Sequence, residues 1–134
     1  VSATADAKRL LELARAARRS AYAPYSRFAV GAALLAADGR VFTGVNIENA
    51  SYGLTVCAER VALWKAISDG ARDFVALAVA GPPRAEAAPC GACRQVLAEF
   101  APTLMVSWRR DGRIVRRRVA RLLPEAFRLG AERR

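Results

Sequence analysis

Asp-Gly occurs three times in this chain, at Asp38-Gly39, Asp69-Gly70 and Asp111-Gly112, and these pairs divide much of the sequence into elements. Glycine takes positive φ without a Cβ penalty, so Asp-Gly between two apolar runs reads as a hairpin turn. Phe28 to Leu35 and Val41 to Val45 flank the first pair. Leu104 to Trp108 and Ile114 to Val119 flank the third, with Arg110-Asp111-Gly112 as the turn. A connection that short forces the last two strands antiparallel, because a parallel pair needs a crossover of about a dozen residues or more. The second pair ends a helix instead. Thr55 is expected to cap a helix running to about Asp69, with Gly70 as its C′ stop.

The other elements follow from periodicity. Leu10, Leu11, Leu13, Ala14 and Ala17 recur at helical spacing, and Ala23-Pro24-Tyr25 then punctuates the chain. Phe74 to Ala80 reads as a buried strand, Gly81 to Ala88 as a loop, and Cys90 to Phe100 as a helix entered through Pro89. Pro124 to Phe127 is expected to form a short last helix. The order is α-β-β-α-β-α-β-β-α, which implies a sheet covered by helices. At 134 residues the chain suits a single domain, 1–134. Asp6 and Glu12 interrupt the first twenty residues, so a signal peptide is not expected there. No apolar run approaches the ~18 residues needed to span a bilayer.

The chain has no histidine and three cysteines. Without histidine there is no Ser-His-Asp triad, Cys-His pair or Cys₂His₂ finger, so proton transfer near neutral pH falls to a carboxylate, thiol or lysine. An odd cysteine count argues against a closed disulfide framework and for a reducing compartment, the cytoplasm. Cys90-Gly91-Ala92-Cys93 alone is ambiguous between a redox pair, half of a zinc site and two small buried hydrophobes. Cys57, in the first turn of its own expected helix, changes this reading. Two helix N-termini presenting thiols to one point stabilise thiolates. Three thiolates leave one tetrahedral position open, a catalytic and not a structural arrangement. Glu59 lies two residues after Cys57. A glutamate beside an open zinc position suits proton transfer, whereas its ordinary role would be a surface residue of a first helical turn.

Cys-x-Glu followed by Pro-Cys-x-x-Cys is the thiolate form of the zinc-deaminase signature. Together with Phe28–Leu34, Phe42–Gly53, Cys57–Arg60, Pro89–Leu97 and Leu122–Pro124, the chain resembles the small, homotetrameric, zinc-dependent cytidine deaminases. The resemblance implies a three-layer α-β-α fold. Its five-stranded mixed sheet would carry helices on both faces, with the last two strands antiparallel. It also implies hydrolytic deamination of cytidine and 2′-deoxycytidine in pyrimidine salvage. Cys57, Cys90 and Cys93 would hold one Zn²⁺ per subunit, and Glu59 would move protons between water and the pyrimidine. Arg60, three residues after Cys57, would donate to the thiolates and offset their excess negative charge. Asn46 and Glu48 would hold the ribose 3′-hydroxyl, Phe28 would stack on the base beside Val30, and Ala58 would offer backbone groups. Tyr52 and Phe127 match positions that approach a neighbouring subunit's site, which implies a homotetramer with shared active sites. In isolation Phe28 and Val30 would be ordinary core, Arg60 a solvated arginine and Phe127 a terminal anchor.

Three competing readings exist. The net charge is +10, and the segment from Arg109 to Arg121 holds seven arginines against one acid, Asp111. Such a stripe suits single-stranded RNA or DNA. Glu48 would meet the 3′-phosphate of such a chain, and the tight last hairpin resembles the free-nucleoside enzymes. A second competitor acts on a modified cytosine nucleoside of the blasticidin type; Asn46 to Tyr52 favours the cytidine enzymes. A third is a structural zinc module, which the missing fourth ligand argues against.

Overall fold

The computed structural model describes residues 3–130. Helix α1 (Ala3–Ala17) is followed by β1 (Gly31–Ala36), β2 (Val41–Val45), α2 (Ala58–Ser68), β3 (Phe74–Ala80), α3 (Gly91–Phe100), β4 (Met105–Arg110), β5 (Arg113–Arg118) and the single turn α4 (Val119–Leu122). The sheet order is β2-β1-β3-β4-β5. Only the β3–β4 pair is parallel, and α3 lies in its crossover. The β4–β5 pair is antiparallel across Asp111-Gly112, both at positive φ, 52° and 78°, as a two-residue hairpin turn demands.

Strand alternation separates two cores. Leu34, Leu77, Val79 and Val106 pack on one face with Ala62, Leu63, Ala66 and Leu97 of α2 and α3. Ala33 and Ala78 pack on the other with Leu10, Leu11 and Ala14 of α1. Each fully buried leucine contributes about 1.5–3 kcal/mol of transfer free energy. The result is the expected three-layer α-β-α fold. Two glycines set the distance between layers. A Cβ on Gly31 would lie 2.0 Å from the Ala14 carbonyl oxygen, and one on Gly44 would lie 2.4 Å from that of Ala58. Gly44 therefore determines how closely the first turn of α2 approaches the sheet. Among the described residues, no helix is long and apolar enough to cross a membrane.

Several boundaries differ from expectation. Thr55 does not cap α2; its hydroxyl accepts the Asn49 N–H at 3.1 Å, and Cys57 occupies the N-cap position. Residues 28–30 precede β1: the Val30 carbonyl still accepts the Asn46 backbone N–H at 3.2 Å, but the Asn46 side chain takes the Val30 N–H and the Phe28 carbonyl, and regular pairing ends there. No helix forms over 124–127. Pro124 disfavours helical φ/ψ at Leu123, which sits at φ −143°, and Glu125 is left-handed at φ 57°. The final helical turn lies earlier, at Val119–Leu122.

Candidate active site

Cys57 and Cys90 each stand at the N-cap of a helix, and Cys93 lies in the first turn of α3. Their Sγ atoms all lie within 4.8 Å of one another, with Cys57 and Cys90 at 3.6 Å. Tetrahedral zinc with Zn–S bonds of ~2.3 Å requires sulfurs about 3.8 Å apart, so the trio fits that ion and leaves a fourth position free. Electrostatics also favours a cation. Cys57 is lowered to about 5, first by its bond with Cys93, against burial, and then by Arg60. Cys93 moves the other way, raised by Cys57, by burial and by the charge of Glu59. One thiol of the cluster ionises readily and thereby holds the proton on its neighbour. A bound dication lets all three ionise.

Arg60 Nη2 donates to Cys57 Sγ at 3.3 Å, as i, i+3 neighbours on α2 permit. Burial disfavours its charge, but bonds to Cys57 and Cys93 more than compensate and raise its pKa. Removing this positive charge leaves three thiolates less well neutralised. Arg60→Ala is therefore expected to retain zinc by metal analysis and to lower turnover about 10–100-fold. Wild-type turnover in that variant would contradict the charge argument.

Glu59 is 4% exposed. Burial, and then the Cys57 charge, push its carboxyl up to about 7. It borders a cavity of about 390 Å³ that also takes in Phe28, Val30, Asn46, Glu48 and Ala58, together with Cys57 and Cys90. Thus one concave space adjoins most of the residues the sequence singled out. Asn46 accepts from the Val30 N–H at 2.9 Å and donates to the Phe28 carbonyl at 2.8 Å, which orients the Phe28–Val30 wall. Glu48 accepts from the Tyr25 and Ser26 backbone N–H groups at 3.0 and 3.1 Å and from the Ser26 hydroxyl. The Ser26 hydroxyl bond is the chief reason its carboxyl sits below the usual 4.5.

Tyr52 and Phe127 do not line this cavity. Tyr52 is 64% exposed and meets Tyr25 edge to face with ring centroids 6.0 Å apart, and Phe127 is 69% exposed. Sequence reasoning missed Ser26 and Glu86. Ser26 lies 22 residues from Glu48 in the chain, and no local pattern links the two. Glu86 joins the cavity wall and accepts from Trp108 Nε1 and Arg110 Nε, each at 2.8 Å. This clamp ties the loop after β3 to β4.

Comparison with known proteins agrees with the geometry. The sequence model of the cytidine and deoxycytidylate deaminase zinc-binding region matches residues 4–108. The chain belongs to this deaminase family. Zinc is accordingly the metal for which its three cysteines are placed. A cytidine deaminase of Halalkalibacterium halodurans is 55% identical over 124 residues, 91% of this chain and 94% of its own length. The crystal structure of cytidine deaminase from Burkholderia pseudomallei superposes with a TM-score of 0.84 at 50% identity, over 95% of this chain and all of that one. A blasticidin-S deaminase of Bacillus cereus is more distant, 31% identical over 71% of this chain and 74% of its own.

Proposed function

We propose that this family member hydrolyses cytidine and 2′-deoxycytidine to uridine and 2′-deoxyuridine with release of ammonia. The observation that carries this reading is buried Glu59 and two of three convergent thiols, Cys57 and Cys90, on the lining of a nucleoside-sized cavity that Glu48 also borders. Zinc, when bound, supplies Lewis acidity that makes water nucleophilic near neutral pH. Glu59 accepts a proton from the attacking water and delivers it to the pyrimidine N3; it then takes the proton of the new C4 hydroxyl and passes it to the exocyclic amine, which leaves as ammonia while the C4 carbonyl forms. Phe28 stacks on the base with Val30 beside it, and Ala58 offers backbone groups to its polar edge. Asn46 and Glu48 receive the ribose, where a carboxylate accepts a hydroxyl donor and repels a phosphate. This repulsion favours a free nucleoside over a polynucleotide, and the Ser26 hydroxyl bond, by holding the Glu48 carboxyl below its usual range, keeps the repelling charge in place. Free thiols suit a reducing compartment, which supports the cytoplasm as the proposed location.

The discriminating experiment offers the zinc-loaded protein cytidine, 2′-deoxycytidine, blasticidin S and a cytidine-containing single-stranded RNA. Both nucleosides are expected to turn over with kcat/KM at least 100-fold above the other two. Preferential turnover of blasticidin S or of the RNA would replace this reading.

The single chain leaves Tyr52, Leu54, Trp64 and Phe127 between 47% and 69% exposed. We infer that these apolar side chains are covered in a homotetramer, in which Tyr52 and Phe127 approach a neighbour's site. Light scattering should return about four times the 14.4 kDa chain mass; a monomer would contradict this.

A further inference from the structure

A second cavity, of about 230 Å³, opens on the other side of the loop that follows β3. Four arginines border it: Arg15 and Arg18 near the end of α1, Arg84 in the loop and Arg109 on β4. One carboxylate, Asp111, is also on the rim. Among the described residues none of the four arginines forms an ion pair. The backbone steadies two of them. Arg18 Nε donates to the Ala29 carbonyl at 2.8 Å, and Arg109 Nη1 to that of Gly112 at 3.1 Å. The carbonyl end of α1 is reason enough for Arg15 and Arg18. It does not account for Arg84 or Arg109, which come from a loop and a strand. Solvated surface arginines also need no apolar floor, whereas Leu11 and Val79 provide one here. A concave site of one charge sign concentrates its potential on whatever enters, and guanidinium groups match phosphate oxygens in pairs.

The floor has a second property. Val79 and Ala87 line both this cavity and the one beside Glu59. The wall between them is tight: a Cβ on Gly81 would come within 2.9 Å of Ala87 Cβ and 3.5 Å of the Phe28 ring. A shift of this loop therefore alters the contact with Phe28.

We propose that the four-arginine cavity binds a diphosphate group, free or as part of a nucleotide, and that its occupancy weakens nucleoside binding through the shared Val79–Ala87 wall. Drawing Arg84 and Arg109 onto one anion moves the loop toward the arginine side and away from Phe28. The volume admits a compact anion and not a polynucleotide strand. The coupling half of this inference rests on the deaminase reading; the binding half does not.

The test is calorimetric titration of the zinc-loaded protein with pyrophosphate, and separately with uridine 5′-diphosphate. Ionic strength is held constant, and zinc content is measured before and after. Saturable binding of one anion per chain is expected. It should weaken at least about tenfold in the Arg84→Ala, Arg109→Ala double variant, the loss expected for charge-assisted hydrogen bonds. Without anion that variant should match the wild type in kcat and KM for cytidine. Saturating pyrophosphate should raise the wild-type KM at least twofold and leave that of the variant unchanged. Tight uridine 5′-diphosphate binding with weak pyrophosphate binding would identify the nucleotide as the source; similar affinities would identify the free anion as sufficient, and both support the site. Absence of saturable binding, or equal binding by the double variant, overturns it. Tighter binding of a twenty-nucleotide single strand, lost in the same variant, would replace it with a polynucleotide surface. Anion binding that leaves the wild-type KM unmoved overturns the coupling alone.

Discussion

Glu59→Gln is expected to lower kcat for cytidine by more than the ~10²–10⁴-fold typical of a lost general acid–base group, because in the proposed mechanism the same carboxylate would serve both proton uptake and delivery. The side chain keeps its size and can still fill its buried position, so zinc content should stay at one per chain. Stability should behave oppositely to activity. Glu59 is 4% exposed and its carboxyl is pushed up to about 7, first by burial. A buried group held so far from its ordinary state does not stabilise the fold, and a neutral amide in its place leaves the melting temperature unchanged or higher. The combination of lost turnover, retained zinc and undiminished melting temperature separates a proton carrier from a structural carboxylate. Near-normal turnover with zinc bound would remove Glu59 from the chemistry.

Gly44→Ala should damage the same site from the sheet below it. The added Cβ would stand 2.4 Å from the Ala58 carbonyl oxygen and 2.5 Å from the Ala62 nitrogen. Both contacts are backbone, so no side-chain rotation relieves them, and α2 must move. Overpacking of this kind costs typically ~1–3 kcal/mol and more where the obstacle is rigid. Cys57, Ala58 and Glu59 all sit at the end of α2 that is displaced. Expected results are a melting temperature lower by several degrees, less zinc retained after dialysis and at least a 100-fold loss of kcat/KM. A variant with wild-type stability and zinc content would show that α2 is not held at this distance by Gly44.

Local chemistry made much of this fold legible. The Asp38-Gly39 and Asp111-Gly112 turns and the Gly70 helix stop act over a few residues, and positive φ at all three glycines bears them out. Cys57, Cys90 and Cys93 could be grouped because their ligand chemistry restricts the partners they accept. Contacts set by tertiary placement were not legible. Thr55 looked like a helix cap, but the strand-end loop claims its hydroxyl through Asn49. Pro124 looked like a helix start, yet its restriction on Leu123 keeps that segment non-helical. The Ser26–Glu48 bond and the Glu86–Trp108–Arg110 clamp join residues more than twenty positions apart, and neither has a periodic signature. The close approach at Gly44 is likewise invisible in sequence, where a strand glycine reads only as a weak point.

The central claim is that three thiolates and one buried glutamate form a zinc-dependent deamination site for a free cytosine nucleoside. Its most direct measurement follows the absorbance change of cytidine and 2′-deoxycytidine with the zinc-loaded protein, with the chelated apoprotein and with the apoprotein after zinc is restored. Turnover should be present in the first, fall at least 100-fold in the second and return in the third in proportion to zinc bound, up to one per chain. A zinc-loaded protein that deaminates neither nucleoside would contradict the claim, as would turnover that persists undiminished after the metal is removed.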